Sequence, residues 1–103
     1  MNFDNFEKKI LDKISMIAGI YGFSHLNADE FSVYSGPLEK KLWYNAINKI
    51  QQNNEVIINL AIIILQTVNA KTIVKEIATV VKYYAKKNNF KISVLNIHIK
   101  GVN

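Results

Sequence analysis

The chain has 103 residues, no cysteine and a formal net charge of +5. That length allows one hydrophobic core and a single domain spanning 1–103, and without thiols neither disulfide staples nor thiolate metal sites can form, so a reducing cytoplasm is the default compartment. All 13 basic residues are lysine. Arginine is the side chain suited to bidentate phosphate and guanine contacts, and the accompanying 13 asparagines and 16 isoleucines trace much of the basicity to an AT-rich genome.

In the opening stretch, "MNFDNFEKKILDKI", Asp4 and Glu7 have the spacing of a capping box and predict a helix start. The charges there sit where a secretion signal needs an apolar core. At about 100° per residue, Phe6, Ile10, Leu11, Ile14, Ile17 and Ala18 share one side, while Lys8, Lys9, Asp12 and Lys13 take the other. Gly19 or Gly22 is expected to end this helix. The intervening "GIYG" has the GxxG form by which KH domains clamp a nucleic-acid backbone, although "FSHLNADEF" after it starts no helix, and a helix cap followed by a turn is the simpler reading.

Phe31 and Val33 alternate with Ser32 and Tyr34 as a short strand would, and "SGP" at 35–37 marks a turn. Leu38, Leu42, Ala46 and Ile50 then repeat at helical spacing, whereas "AINKIQQNNEVIIN" reads as a hairpin turning at Asn53 and Asn54. A short helix running into a strand is expected. Residues 56–65 are short, rich in Ile and Val, and apolar on both alternating faces except at Asn59, which predicts a central strand. The ten-residue run "VIINLAIIIL" falls well short of the roughly 20 residues a membrane-spanning helix needs.

Asn69 can cap a second helix from about Ala70 to Asn88, with Ile73, Val74, Ile77, Ala78, Val80, Val81, Tyr84 and Ala85 on one arc. In the last segment the period is two, with Leu95, Ile97 and Ile99 on one side and Asn96, His98 and Lys100 on the other. These elements predict an α+β two-layer sandwich. A small mixed or antiparallel sheet of about three to four strands should carry the two main helices on one face.

Little in this pattern points to chemistry. His25 and His98, with Asp29 and Glu30, lack any HxxxH or HExxH spacing for a metal. Ser24 or Ser93 paired with a histidine lacks a GxSxG elbow. No paired carboxylates, phosphate loop or dinucleotide fingerprint is present, so no catalytic, cofactor or metal residue is assigned and a non-enzymatic role is expected. Two surfaces stand out instead. The side of the central strand away from the helices carries Ile57, Asn59, Ala61, Ile63 and Leu65, next to Asn96 and His98 of the last strand; if helices cover only one sheet face, this is an interaction surface. Lys71, Lys75, Lys82 and Lys86 fall within a stripe of roughly 60° on the second helix, either a solvated face or a contact for an acidic partner or anionic lipid. Trp43 and Tyr44 beside Lys40 and Lys41 either cap the core or present aromatic rings to bases or a membrane interface.

The carboxy-terminal "SVLNIHIKGV" resembles the closing strand of the alkaline shock protein family, which has a VNVHVxGV-like form; Asn96, His98, Gly101 and Val102 coincide with it. Upstream, "YGF", the strand "VIINLAIII" and the helix "IVKEIATVVKYYAKK" follow in the family's order. Where family members carry a glycine after that helix, this chain has Asn89, the next best residue for a left-handed cap. The resemblance implies a small bacterial cytoplasmic protein without catalytic residues or cofactor, linked to cell-envelope homeostasis and stress. It would act through protein–protein contacts, as a homo-oligomer or with a partner, at least one family member being held at the membrane by a partner protein. A KH-like RNA-binding protein using "GIYG" and the lysine patches is the alternative.

Overall fold

The computed structural model describes residues 4–27 and 37–103. The first helix, α1, spans Asn5–Ile14 and opens on the expected box: the Glu7 amide donates to the Asp4 side chain and the Asp4 amide donates to the Glu7 carboxylate. Phe6, Ile10, Leu11 and Ile14 are buried along one side. No glycine terminates it. Ser15 closes the last turn by donating to Leu11 O, and two tight turns (Met16 N to Lys13 O, Ile17 N to Ile14 O) follow, which leaves Ala18 exposed rather than on the apolar arc.

Gly19 serves the entry into the first strand instead. Its φ is +101°, and a Cβ there would stand 2.7 Å from Ile73 Cδ1 and 2.8 Å from Val68 Cγ1. Both the backbone conformation and the space exclude a side chain. Gly19→Ala should cost at least about 2 kcal/mol, lowering the melting temperature by roughly 10 °C in a domain of this size; thermal unfolding of the variant checks this.

Strand β1 spans Ile20–Phe23. A 3₁₀ helix, Lys40–Ala46, runs directly into β2, Ile47–Gln52, so the helical spacing stops at Ala46 and Ile50 belongs to a strand. Asn53, at φ 58°, makes the tight turn into β3, Glu55–Ile64. Helix α2, Ala70–Lys87, is capped by Asn69, whose side chain accepts from the Lys71 and Thr72 amides. Asn89 takes the left-handed conformation (φ 60°) expected of it, and β4, Lys91–Val102, ends the fold. The expected strand around Phe31 and Val33, and the turn residues Ser35 and Gly36, lie outside the described residues.

The sheet is mixed. β3 is its centre, paired along its length in parallel with β4 through the α2 crossover, as parallel strands require. On its other edge β2 lies antiparallel against residues 55–60 and β1 against 62–64. Both helices pack on one face, where Val56, Ile58, Leu60 and Ile62 of β3 meet Ile10, Leu11 and Ile14 of α1 and Ile73, Ile77 and Val81 of α2. The fold is therefore the expected two-layer α+β sandwich. Ile92, Leu95 and Ile97 of β4 pack against the same core.

One polar device crosses this core. Lys49 pairs with Ile58 and so points toward the helices; its side chain is 10% exposed and its ammonium binds Asp4 and lies 3.8 Å from Glu7 Oε1. The rings of Phe6 and Phe90 flank it at 5.5 and 5.4 Å. Burial pushes the Glu7 carboxyl up to about 7, the Lys49 charge only partly opposing it. Burial also opposes the charge of Asp4, but hydrogen bonds from Lys49 and from the Glu7 amide outweigh it and hold that carboxyl below its usual range.

Candidate interaction surface

Strand register defines what faces away from the helices. Because paired residues share a face, the rows across β2, β3 and β4 read Ile50–Ile57–Val94, then Asn48–Asn59–Asn96, then Ala61–His98, then Gly22–Ile63–Gly101 with β1 supplying Gly22. Of the sequence-predicted residues, Ile57, Asn59, Ile63, Asn96 and His98 all fall on this face. Leu65 lies just past β3, half-buried, with its amide donating to Gly19 O.

The face is not uniformly open. Ile63 and Ala61 are 0% exposed, although neither belongs to the core beneath the helices. Pro37 packs on this side, its Cβ 2.5 Å from where a Cβ on Gly22 would stand, and Gly101 lies against Ile63. The expectation that Ile63 and Ala61 face water is therefore corrected: alternation assigns a residue to a side of the sheet but not to solvent. Ile57, Asn59 and Leu65 are half-buried, and Asn96 and His98 are exposed.

The open end lies at the opposite corner. Ile50 of β2 is 44% exposed and Val94 of β4 is 43% exposed, with Ile57 between them. Next to this apolar row, Asn96 Nδ2 donates to Asn59 Oδ1 at 2.9 Å, joining β3 to β4 through side chains as well as backbone. His98 stands one row further on. Ile50 and Val94 escaped the sequence reading. The alternation of Ile47, Lys49 and Gln51 against Asn48, Ile50 and Gln52 carried the signal for Ile50, but it competes with helical spacing from Leu38. Val94 follows a bulge, where Val56 and Ile57 pair with Ile92 and Val94 and Ser93 is extra.

The other candidates separate. Ser93 Oγ donates to Val56 O within that bulge, and His25 Nδ1 accepts from the Asn27 amide. Ser24, 5% exposed, donates its amide to Ala61 O, so it stands two strand spacings, about 10 Å, from His98 across Ala61. Asp29 and Glu30 lie outside the described residues, and among the described residues no three metal-ligating side chains converge. In "GIYG", the segment after Gly19 is strand β1 rather than a link between two helices. Trp43 packs edge-on against Phe23 at 4.8 Å and donates Nε1–H to Leu38 O, which is the core-capping role. Lys71, Lys75, Lys82 and Lys86 are all exposed along α2.

No helix among the described residues is long and apolar enough to cross a membrane. Comparison with family models, with curated proteins and with solved structures finds no match to this chain.

Proposed function

We propose that the chain is a non-enzymatic interaction module of the bacterial cytoplasm. It engages a protein partner through the open corner of its sheet, in the cell-envelope and stress roles that its resemblance to the alkaline shock family implies. The observation that carries this reading is the exposed cross-strand row Ile50–Ile57–Val94 beside an asparagine row. Apolar side chains aligned on three adjacent strands form a patch that water solvates poorly, while the asparagines at its border offer donors and acceptors for orientation. Affinity capture from extracts of the source cell tests it. Ile50→Lys with Val94→Lys should abolish capture of the specific partner while leaving the melting temperature within a few degrees, since both side chains lie at the exposed surface of the sheet, where a lysine stem can cover the same apolar neighbours and its ammonium reach water. Unchanged capture by the double variant contradicts the reading.

A further inference from the structure

The helical layer carries a second surface, independent of the sheet corner. Because α1 and α2 cover the same sheet face, their solvent sides form one continuous exterior. Three lysines of α1 and five of α2 are exposed there, against two acidic residues, Asp12 and Glu76. Asp12 is already engaged by Lys40 at 3.3 Å. Among the described residues this exterior is thus strongly basic.

Within this basic exterior lie apolar groups with no core function. Met16, in the turn after α1, is 76% exposed and Tyr83 of α2 is 54% exposed. With Lys13, Thr79, Val80 and Tyr84 they line a shallow depression between the end of α1 and α2. Tyr83 meets Tyr84 edge-on at 5.1 Å, and the Lys87 ammonium lies 4.9 Å from the Tyr83 ring centre. Helical spacing places Tyr83 between Lys86 and Lys87 around α2. The protruding tyrosine is therefore flanked by Lys86 and Lys87, and Met16 shares the depression with Lys13.

We propose that this helical face binds the surface of an anionic phospholipid bilayer directly, its lysines over the headgroups and Met16 and Tyr83 entering the interfacial layer. Negative headgroups complement the basic exterior, each lysine near such a surface strengthening binding about fivefold. Tyrosine favours the membrane–water interface because its ring is apolar and its hydroxyl polar. The exposed thioether distinguishes this ligand from nucleic acid. A phosphate backbone would use the lysines and leave Met16 without a role, whereas a bilayer interface accepts it. The helices' own apolar faces stay in the core, so the protein lies on the membrane rather than in it.

Co-sedimentation of the intact protein with phosphatidylcholine vesicles, with and without 30 mol% phosphatidylglycerol, tests the proposal. Retention on the anionic vesicles alone is expected, falling steeply between low and high salt. Lys82→Glu with Lys86→Glu should weaken it at least twentyfold, and Met16→Asp several-fold, with unchanged circular dichroism because all three sites are exposed. Ile50→Lys with Val94→Lys should leave vesicle binding intact, which separates this surface from the proposed partner site. No retention at low salt, equal retention on neutral vesicles, or indifference to Met16→Asp would overturn it. So would tighter binding of single-stranded RNA, with the same lysine dependence, than of anionic vesicles.

Discussion

Replacing Lys49 by alanine should destabilise the protein by about 2–3 kcal/mol near neutral pH, less than the full loss for a buried ion pair because Asp4 is 42% exposed and partly solvated. Lys49 is the only link among the described residues that reaches from β2 to both acids at the start of α1. Its ammonium also lies against both the Phe6 and Phe90 rings, which are themselves in edge-to-face contact at 5.4 Å. Truncation therefore leaves the buried Glu7 without its cation, while Asp4 keeps solvent and the Glu7 amide, and it opens a void beside two aromatic rings. Against a typical domain stability of about 5–15 kcal/mol, that loss is a substantial fraction. Lys49→Met with Glu7→Gln retains the stem and removes the most buried charge, so it should recover much of the difference, as apolar replacement of buried ion pairs often does. Urea unfolding of the three proteins checks the order: wild type and double variant close together, Lys49→Ala well below. Equal midpoints for wild type and Lys49→Ala would remove the network from the account of stability.

The second large effect is on pH. Glu7 is 2% exposed, and its carboxyl is raised from 4.5 to about 7. Between those values the folded protein holds a proton that the unfolded chain has released, so stability falls as pH rises through that window and the contribution is lost above about 7. At about 1.4 kcal/mol per pH unit of difference, the full decline amounts to about 3.5 kcal/mol, of which roughly 2–3 fall between pH 5 and pH 8. Asp4 acts in the opposite sense: its carboxyl lies below 3.8, so its stabilisation is present above that value and lost as pH falls through the acid range. A maximum near pH 4–4.5 follows from these two groups. Urea midpoints of the wild type should decrease from pH 5 to pH 8, whereas Glu7→Gln should be nearly flat across the same window. The Lys49→Ala penalty should grow over it as well, because Glu7 is neutral at the acid end and charged at the basic end. A wild-type midpoint that rises from pH 5 to pH 8 would contradict the assignment.

What the sequence made legible follows local chemistry. The Asp4–Glu7 box and the Asn69 cap are short-range signals whose hydrogen bonds close within a few residues, and both helix starts formed where they point. The apolar run at 56–65 and the alternation of Leu95, Ile97 and Ile99 likewise placed the central strand and the last strand. The parts that stayed hidden depend on contacts distant in sequence. Lys49 reads as an ordinary polar residue of a hairpin until β2 is registered against β3 and α1 is laid across them. Ile63 reads as exposed because periodicity reports only the side on which a residue lies. The bulges at Ser93 and Lys100 (Ile62 and Ile63 pair with Ile99 and Gly101) add a residue to β4 and shift its phase, which no single-strand pattern reveals. On the sheet face away from the helices the exposed apolar row is consequently Ile50–Ile57–Val94, while Ile63 on the same face is covered.

The charge distribution shows the same division. The stripe of Lys71, Lys75, Lys82 and Lys86 was visible as helical spacing, but its continuation onto α1 required knowing that both helices share one sheet face. Met16 and Tyr83, two residues without a pattern of their own, become neighbours only through that packing.

Site-specific photo-cross-linking in living source cells tests the central claim most directly. A benzophenone side chain at Val94 should yield a discrete protein adduct that disappears when Ile50 is changed to lysine, while the same probe at Thr72, on the helical side, should not yield that adduct. Absence of an adduct from Val94, or one that persists unchanged with Ile50→Lys, would contradict a partner-binding role for the open corner of the sheet.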